Sequence, residues 1–550
     1  MSRNYFQIHG DDNVVVALQD LPVGQECAIG NLSVLLQHDI PAKHKFTIKE
    51  LSKGDQIIMY GVLVGTCKEE IPKGGLVGTH NVAHKAGSYS IQSTEISWKP
   101  PDVSKWRDRT FDGYHRKDGS VGTSNYWLVI PLVFCENRNL DIISEALCES
   151  LGYPTKKDFR VDTQALIDRY KSGASTSELM EMSIVSTHDD LVYTRQFPNV
   201  DGIRFLNHQG GCGGTPDDSA MLCKLLAGYI THSNVAGATI LSLGCQHAQI
   251  ELMQQAIKEK HQNFDKPVFY LEQQQSKDER TFIEDAVKQT FIGLTQANKI
   301  SRKPAPLRHI KLGLECGGSD GFSGISANPA LGYTSDLLVA LGGTAILSEF
   351  PELNGVEQEL INRCSSSELA QKFSDLMGAY SKSAQAVNAG FENNPSPGNI
   401  KDGLITDAIK SAGAAKKGGT SPINEVLDYG ESSRNTGLSL LCTPGNDVES
   451  TTGLAGSGAN IIVFTTGLGT PTGNPVAPVI KMSSNNKLYQ KMADIIDINA
   501  GTIISGESTI HEKGEELLEY IIEVASGRAI PAAVRLLQQD FIPWKRGVSL

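Results

Sequence analysis

The sequence predicts an α/β protein in which a short β-rich module precedes a region with a largely parallel, Rossmann-like sheet. Several apolar runs are continuous rather than alternating, which is typical of strands whose two faces are both covered by helices. Each run leads into a polar, often Gly-rich loop with Cys, His, Asp or Glu; the runs are residues 127–134, 203–206, 238–243, 310–314 and 344–347. Because ligands bind at the carboxyl ends of parallel strands, the pattern indicates an enzyme with its site in these loops.

Length, charge and cysteine content narrow the class of protein. The 550 residues are enough for about two to four domains with sizeable cores. The formal net charge of -12 at pH 7 argues against nucleic acid and anionic membrane as partners. No apolar run approaches the ~20 residues of a membrane span, and the first residues lack the apolar core of a signal peptide. The 10 cysteines are too few for a disulfide scaffold, so we expect a cytoplasmic protein that acts on a small molecule.

Composition divides the chain into four parts. Residues 1–95 carry short strand-like runs separated by turn signals, which predicts a small β domain. Residues 96–111 contain paired prolines and little periodicity, as in an extended linker. We place an α/β middle domain, a candidate for homodimer formation, at 112–265. The C-terminal catalytic domain with the Rossmann-like sheet is placed at 266–550.

The loop after the run 310–314 is the most informative part of the chain. Residues 315–324 read E-C-G-G-S-D-G-F-S-G, so the Cys316 thiol, the Ser319 hydroxyl and the Asp320 carboxylate stand among glycines. Such a loop lets the backbone turn sharply and approach a ligand closely. Further carboxylates follow predicted strands, and with Asp320 they are candidates for a metal or substrate site: Glu349, Asp447 and Asp497.

Longer motifs resemble those of a known family. Residues 113–126, G-Y-H-R-K-D-G-S-V-G-T-S-N-Y, resemble the signature that opens the catalytic region of altronate and galactarate dehydratases. Residues 316–349 resemble the family's C-G-G-S-D-x-F-S-G-x-x-A-N-P-A-L-G stretch, and residues 1–95 resemble its SAF-type β-clip domain. The resemblance covers essentially the whole chain in order. It departs at Ser124, where Arg is usual, and at 136–138, where small polar residues are usual.

The resemblance implies that the protein removes water from a sugar acid, with D-altronate to 2-keto-3-deoxy-D-gluconate as the expected reaction. Galactarate dehydration is an alternative. A carbon–sulfur lyase of the sulfolactate sulfo-lyase type is another, but that enzyme often carries its SAF-like part as a separate subunit. A non-catalytic sugar-acid-binding protein is a further class, and the near-complete set of motif residues argues against it.

This chemistry needs a base, an acid and charge stabilisation. Removal of the C2 proton beside a carboxylate leaves an enediolate, and an acid must protonate the leaving 3-hydroxyl. A divalent cation stabilises such an enediolate as a Lewis acid. The resemblance implies Fe²⁺, with Mn²⁺ as a second candidate, and we expect the ligands to come from Cys316, Asp320, Glu349 and Asp447.

Catalytic and substrate-binding candidates come from the motifs. With Asp320, the catalytic candidates are His80, which closes the N-terminal module, and His208, which lies just before a Gly-rich turn. Each histidine is as readily a surface or capping residue, and the module is either a lid that supplies His80 or a docking domain. A guanidinium suits a carboxylate substrate, although an Arg–Asp pair also braces turns. The substrate-binding candidates are Arg116, Asp118, Asn125, Ser319, Asn399 and Thr466.

Other cofactors would show different patterns. Three converging cysteines could hold an iron–sulfur cluster with one open iron, and the candidates are Cys135, Cys212, Cys245 and Cys316. Against this alternative, no C-x-x-C or ferredoxin-like spacing occurs. Neither G-x-G-x-x-G in a Rossmann context nor G-x-x-x-x-G-K-[ST] is present, so we expect neither NAD nor ATP.

Overall fold

A computed structural model describes residues 4–91, 96–153, 159–187 and 194–550. The N-terminal module consists of short antiparallel strands: β1 (Tyr5–Phe6), β2 (Val14–Ala17), β3 (Glu26–Ile29), β4 (Leu32–Leu35), β5 (Lys45–Thr47), β6 (Gln56–Met59), β7 (Val62–Cys67), β8 (Leu76–Val77) and β9 (Val82–Ala83). They form a β1-β2-β5-β8 sheet, a β3-β4 hairpin and a β6-β7-β9 sheet. The predicted β-rich module is confirmed.

One strand of the module serves two hydrophobic cores. Successive side chains of a strand point to opposite faces, and in β2 Val15 and Ala17 pack in the module's own core with Phe46. Val14 and Val16 belong instead to a larger core that joins residues of the module to the C-terminal domain. The module is therefore docked on the rest of the protein by apolar contact.

The predicted linker is docked as well. Trp106 is buried, and its indole N–H donates to Glu519 Oε1 at 3.0 Å. The indole of Trp98 donates to Thr420 Oγ1 at 3.2 Å. Both acceptors belong to the C-terminal domain, so this extended segment lies along that domain and is not a free tether.

The middle unit contains a second kind of sheet. Its elements are β10 (Thr110–His115), β11 (Val121–Gly122), β12 (Tyr126–Pro131), α1 (Asn137–Ser150), β13 (Phe159–Val161), α2 (Thr163–Lys171), α3 (Thr176–Glu181), β14 (Val185–Thr187), β15 (Gly202–Phe205), α4 (Pro216–Thr231), β16 (Val235–Ser242), α5 (Ile250–Lys260), β17 (Val268–Glu272), α6 (Glu279–Ala297) and β18 (Arg302–Pro306). Four of the described strands form a parallel sheet in the order β15-β12-β16-β17. Strand β10 pairs antiparallel with β11 and β18.

Helices cover both faces of this parallel sheet. In β12, Leu128 and Ile130 pack with α4 and α5, whereas Trp127 and Val129 pack with α1 and α6. This double coverage explains the continuous apolar run. The sequence predicted that the middle domain ends at residue 265. In the structure, β17 is a strand of this sheet and α6 follows it in the same unit, so the unit extends to the end of α6. The apolar run of β17 is short and lies in a polar stretch, which hides it in the composition.

The C-terminal domain holds the large parallel sheet. Its elements are β19 (Lys311–Cys316), α7 (Ala327–Ala340), β20 (Thr344–Leu347), α8 (Glu357–Ile361), α9 (Ser367–Gln385), α10 (Pro397–Lys401), α11 (Asp407–Ala414), β21 (Ile423–Leu427), β22 (Gly437–Leu441), α12 (Asp447–Gly456), β23 (Ile461–Thr466), β24 (Val479–Ser483), α13 (Asn486–Lys491), β25 (Ile498–Asn499), α14 (Gly501–Ile504), α15 (Ile510–Ala525) and α16 (Ala532–Arg535). In the described chain its strands are parallel, in the order β21-β22-β20-β19-β23-β24-β25. The predicted α/β class is confirmed, and the carboxyl ends of β19, β20 and β23 are neighbours. No described helix is both long and apolar enough to cross a bilayer.

Candidate active site

Two central strands of the large sheet end in a thiol and a carboxylate. Cys316 is the last residue of β19, and Glu349 follows β20 with a backbone φ of 68°. A residue other than glycine in this left-handed region is strained, and such residues cluster at functional sites. The turn brings Glu349 Oε2 within 3.0 Å of the Cys316 main-chain N–H, which donates to it. The Glu349 N–H donates to Thr443 Oγ1 at 2.8 Å, which holds the turn.

A third acidic group completes the arrangement. Cys316 Sγ and the carboxylate oxygens of Glu349 and Glu352 lie within 4.8 Å of one another, and all three residues are buried. The Cys316 thiol donates to Glu352 Oε2 at 3.3 Å. Within the described ranges, these are the only three His, Cys, Asp or Glu side chains placed closely enough to share one metal ion. We call Cys316, Glu349 and Glu352 the acidic cluster.

Two buried lysines neutralise the acidic cluster. Lys417, in the turn after α11, places Nζ at 2.7 Å from Cys316 Sγ and 2.6 Å from Glu349 Oε2. Lys410, on α11, places Nζ at 2.6 Å from Glu352 Oε1. A buried charge is unfavourable unless an opposite charge pairs with it, so these lysines are what allows the carboxylates to be ionised here.

Sequence reasoning missed both lysines and Glu352. Weak signals for two of them exist in the chain. Lys417 stands directly before the Gly-Gly-Thr-Ser-Pro motif at 418–422, and Glu352 follows Glu349 by one turn. Lys410 lies inside an ordinary helical pattern, and only the packing of α11 shows its role.

Burial and neighbouring charges set the protonation states of the cluster. Burial, together with Glu349, raises the pKa of the Cys316 thiol well above its usual value. Burial and the charge of Glu352 raise the pKa of Glu349. Burial acts on Glu352 too, but Lys410 and Lys417 outweigh it and lower the pKa of Glu352. The cluster therefore combines a carboxylate of lowered pKa, Glu352, with a carboxylate and a thiol of raised pKa, Glu349 and Cys316.

Asp447 and Ser319 border the acidic cluster. A Cβ on Gly317 would lie 2.2 Å from Asp447 Oδ2, so glycine at 317 allows this carboxylate to approach the loop after β19. Burial and the nearby acidic charges raise the pKa of Asp447 to about 7. The main-chain oxygen of Ser319 accepts a hydrogen bond from Asn399 Nδ2 at 2.7 Å, which ties α10 to the same loop.

Buried oxygen atoms without partners indicate room for a ligand. Among the described side chains, Glu349 Oε1, Glu315 Oε1 and Ser319 Oγ are buried and lack a hydrogen-bond partner. Such atoms are normally paired in native proteins, by water or a ligand if not by protein. Two carboxylates and a thiol are also donors that Fe²⁺ accepts, and carboxylates suit Mn²⁺. The residues present therefore fit a divalent cation or the hydroxyl groups of a substrate, with Lys417 competing for the same atoms.

Asp320 lies in a different environment from the acidic cluster. Both of its oxygens accept hydrogen bonds from buried protein donors: the Phe322 and Ser323 main chain, the Ser323 and Ser484 hydroxyls, the Asn485 amide and the Lys43 ammonium. The carboxylate thus anchors the loop after β19. No oxygen is left for a metal, so the predicted metal role of Asp320 has no support in this geometry.

The N-terminal module reaches this loop through lysines. Lys43 Nζ lies 3.0 Å from Asp320 Oδ2 and 2.5 Å from Asp402 Oδ1. Lys45 is buried, its Nζ donates to main-chain oxygens, and burial lowers its pKa to about 7. His80 is exposed on a turn of the module, and no contact described for it joins it to the acidic cluster. The structure thus gives the module a contact with the site that does not involve His80.

His208 is a structural residue of the middle sheet. Its Nε2–H donates to Pro131 O at 2.7 Å, and its Nδ1 accepts the Gly210 N–H at 3.1 Å. Burial lowers the pKa of His208 to about 4, which keeps the ring neutral. Because both nitrogens are engaged with the main chain, the ring joins two loops and has no free nitrogen to act as a base.

The residues from the 113–126 motif also serve the framework. The Arg116 guanidinium donates to Ser233 O at 2.8 Å and to Asn125 Oδ1 at 2.9 Å. Arg116 and Asp118 do not form an ion pair in the described structure, and Asp118 lies 3.3 Å from His261 Nε2 instead. Thr466, another candidate, caps the turn after β23 by accepting the Gly469 N–H at 3.0 Å. The Arg116 guanidinium is therefore used to brace main chain, and a substrate-binding role for Arg116 and Asp118 stays a prediction.

The fold is that of an α/β enzyme with buried, ionisable side chains at the carboxyl edge of its large sheet. Comparison with known families gives the particular one. Residues 3–85 match the description "Altronate/galactarate dehydratase SAF domain", 113–298 match "D-galactarate dehydratase/Altronate hydrolase, second domain", and 307–549 match "D-galactarate/Altronate dehydratase, C-terminal". The chain belongs to the altronate/galactarate dehydratase family and is a hydro-lyase.

Individual relatives match along nearly the whole chain. It is 32% identical to altronate dehydratase of Bacillus subtilis (strain 168) over 530 residues, 96% of each chain. It is 31% identical to altronate dehydratase of Escherichia coli (strain K12) over 525 residues, 95% of each chain. It is 30% identical to galactarate dehydratase (L-threo-forming) of the same strain over 527 residues, 95% of this chain and 93% of the relative.

Proposed function

We propose that the protein dehydrates a sugar acid at the acidic cluster, and that D-altronate is its substrate and 2-keto-3-deoxy-D-gluconate its product. The observation that carries this proposal is the buried set of two lysines with Cys316, Glu349 and Glu352 at the carboxyl edge of the large sheet. Two of the relatives above are named altronate dehydratases. Galactarate is the alternative substrate, because a galactarate dehydratase is nearly as similar.

Glu349 is the proposed base. Its Oε1 lacks a partner, while Oε2 is held by Lys417 and the Cys316 N–H. Oε1 takes the C2 proton, and the electron pair of the broken C–H bond is held in an enediolate with the substrate carboxylate until the C3–O bond breaks and the pair forms the C2–C3 double bond. The Lys417 ammonium faces the negative charge that develops on the substrate carboxylate, and this kind of fixed electrostatic stabilisation is usually a large part of catalysis.

Asp447 is the proposed acid. Its pKa of about 7 leaves a substantial protonated fraction near neutral pH, which suits a group that must deliver a proton. It protonates the 3-hydroxyl, which leaves as water when the C3–O bond breaks. The resulting enol then takes a proton at C3 and loses the proton of its 2-hydroxyl group, which gives the 2-keto-3-deoxy acid with atoms and charges balanced.

A divalent cation, Fe²⁺ or Mn²⁺, is proposed to bind Cys316, Glu349 and Glu352. When bound it would supply Lewis-acid stabilisation of the enediolate. Asp320 is left out of this ligand set because it does not lie within the acidic cluster. A homodimer, a cytoplasmic location and a chemical role for His80 stay predictions.

The substrate is tested by anaerobic assays of the full chain with Fe²⁺ or Mn²⁺ and a panel of D-altronate, galactarate and sulfolactate. We expect the highest kcat/KM for D-altronate, with one 2-keto-3-deoxy acid formed per substrate consumed. A higher kcat/KM for galactarate would replace the substrate but keep the reaction. Release of sulfite from sulfolactate, without dehydration of either sugar acid, would contradict the proposal.

A further inference from the structure

The carboxyl edge of the middle sheet carries a second set of metal-binding side chains. Strand β12 lies between β15 and β16 in this parallel sheet, so the loops after these three strands are neighbours. Each of the three loops contains one cysteine: Cys135 after β12, Cys212 after β15 and Cys245 after β16. None of them belongs to the acidic cluster, which lies on the other sheet.

Hydrogen bonds join the three loops close to the cysteines. Phe134, next to Cys135, donates its N–H to Gly210 O at 3.1 Å. Gly211, next to Cys212, accepts the N–H of Ala248 from the loop of Cys245, also at 3.1 Å. A Cβ on Gly211 would lie 2.0 Å from Leu132 O, and its φ is +97°, so only glycine allows this approach of two loops. The three cysteines therefore lie on loops that are joined to one another by hydrogen bonds.

These three thiols differ from the other cysteines in their exposure. Of the 10 cysteines, the structure buries all except Cys135 and Cys245, which are exposed, and Cys212, which is half-buried. Cysteine is among the residue types most often buried. Accessible thiols confined to three adjoining loops are not explained by packing, and they are free rather than joined in disulfides.

Unsatisfied polar atoms lie beside the same loops. Glu136 Oε1, Asn137 Oδ1 and Asn139 Oδ1 are buried without a hydrogen-bond partner, directly after Cys135. Glu136 is 0% exposed and Asn139 is 3% exposed. Leaving buried acceptors unpaired is unfavourable. This second observation is independent of the thiols and points to a place for a polar partner at this edge.

We propose that Cys135, Cys212 and Cys245 hold an iron–sulfur cluster of the four-iron type. Such clusters are bound by cysteine thiolates, normally one for each iron. Three thiolates leave one iron without a protein sulfur, and that iron is open to an oxygen ligand such as water, a hydroxyl or a carboxylate. Binding converts three thiols to thiolates and releases three protons, while iron and sulfide come from the cell's cluster supply.

The spacing of the sulfurs argues against a single metal ion. A metal–sulfur bond is about 2.3 Å, so two sulfurs on one ion lie at most about 4.6 Å apart. The Sγ atoms of these three described cysteines do not all lie within 4.8 Å of one another, whereas the acidic cluster does meet that limit. Several irons spread over a cluster reach thiolates that one ion cannot.

The test uses the full chain, purified and reconstituted without oxygen with Fe²⁺ and sulfide. Iron, acid-labile sulfide, visible absorbance and electron paramagnetic resonance are measured, none of which depends on dehydratase activity. We expect about four irons and four sulfides per chain. Each of Cys135→Ser, Cys212→Ser and Cys245→Ser should lose most of both. The matched control, Cys148→Ser on α1 of the same unit, should retain them.

Some outcomes would overturn the proposal. These are iron without sulfide, a zinc ion in place of iron, or a cluster that survives all three substitutions but disappears in Cys316→Ser. If circular dichroism shows that a variant folds poorly, alkylation of the wild-type chain tests the proposal instead. A loaded cluster must protect Cys135, Cys212 and Cys245 together, and its oxidative removal must expose all three. Alkylation of the three thiols at the same rate with and without iron and sulfide would refute the site. Dehydration that persists without the cluster would leave the proposed function standing.

Discussion

Each of the two parallel sheets of this protein has polar loops at its carboxyl edge, but the side chains at the two edges differ in burial and charge. At the large sheet, Cys316, Glu349 and Lys417 are buried and neutralise one another. At the middle sheet, a neutral His208 lies beneath accessible thiols. The covering segments also differ: α10 and the N-terminal module contact the loop after β19 at the large sheet, whereas the C-terminal residues contact the loop after β15 at the middle sheet. Strand topology therefore locates a site, and the covering segments determine its chemistry.

The largest effect is expected from removing the central charge of the large edge. Lys417→Met should lower turnover by about 10³-fold or more, because the developing negative charge loses its buried partner. It should also lower the free energy of unfolding by about 3–5 kcal/mol, since Glu349 is left uncompensated. Steady-state kinetics and urea unfolding measure the two effects.

The neighbouring Lys416 provides the control for that variant. It is half-buried and pairs with Glu359 at 3.4 Å, away from the acidic cluster. Lys416→Met should change turnover less than about twofold and the free energy of unfolding by about 0.5 kcal/mol or less. Equal losses in the two variants would contradict the assignment of the site.

Removal of metal should affect the two edges differently. Treatment with a chelator is expected to abolish turnover, and Fe²⁺ or Mn²⁺ should restore it, because the enediolate needs charge stabilisation beyond the two lysines. Visible absorbance from the middle edge should change little during a brief treatment. Full turnover by protein shown to be free of metal would mean that Lys410 and Lys417 suffice.

Asp320→Asn distinguishes an anchor from a catalytic group. We expect a loss of about 2–4 kcal/mol in the free energy of unfolding, because the amide cannot accept all the hydrogen bonds and Lys43 loses a buried partner. Turnover should fall only to the extent that the substitution displaces the loop after β19. A fall of about 10³-fold at unchanged stability would instead place Asp320 in the chemistry, as the sequence motif suggested.

The middle edge should be sensitive to acid. Burial lowers the pKa of His208 to about 4, below its usual value of about 6.5, so the unfolded chain binds more protons between these values. Stability is present above pH 6.5 and is lost as pH falls towards 4, by about 3 kcal/mol in total. Urea midpoints at pH 7, 5.5 and 4.5 measure the loss. His208→Gln should reduce it, whereas His247→Gln, an exposed residue in the same sheet's loops, should not.

The sequence predicted the fold better than the details of the site. The β-rich module, the parallel sheet and the loops after its strands follow from local patterns, and Cys316, Glu349 and Asp447 do meet at one edge. Lys410 and Lys417 could not be found this way, because their contacts depend on how α11 packs across the sheet. Exposure is equally invisible in a motif, and only the structure shows that His80 lies on the surface of the module.

The shared strand β2 has a consequence for the whole molecule. Val14 and Val16 lie in one core while Val15 and Ala17 lie in another, so neither core can be opened without disturbing the same four-residue strand. Heating should therefore melt the N-terminal module and the C-terminal domain in one cooperative transition, with a single calorimetric peak for both. An enzyme built in this way loses its active-site edge as soon as its smallest domain unfolds.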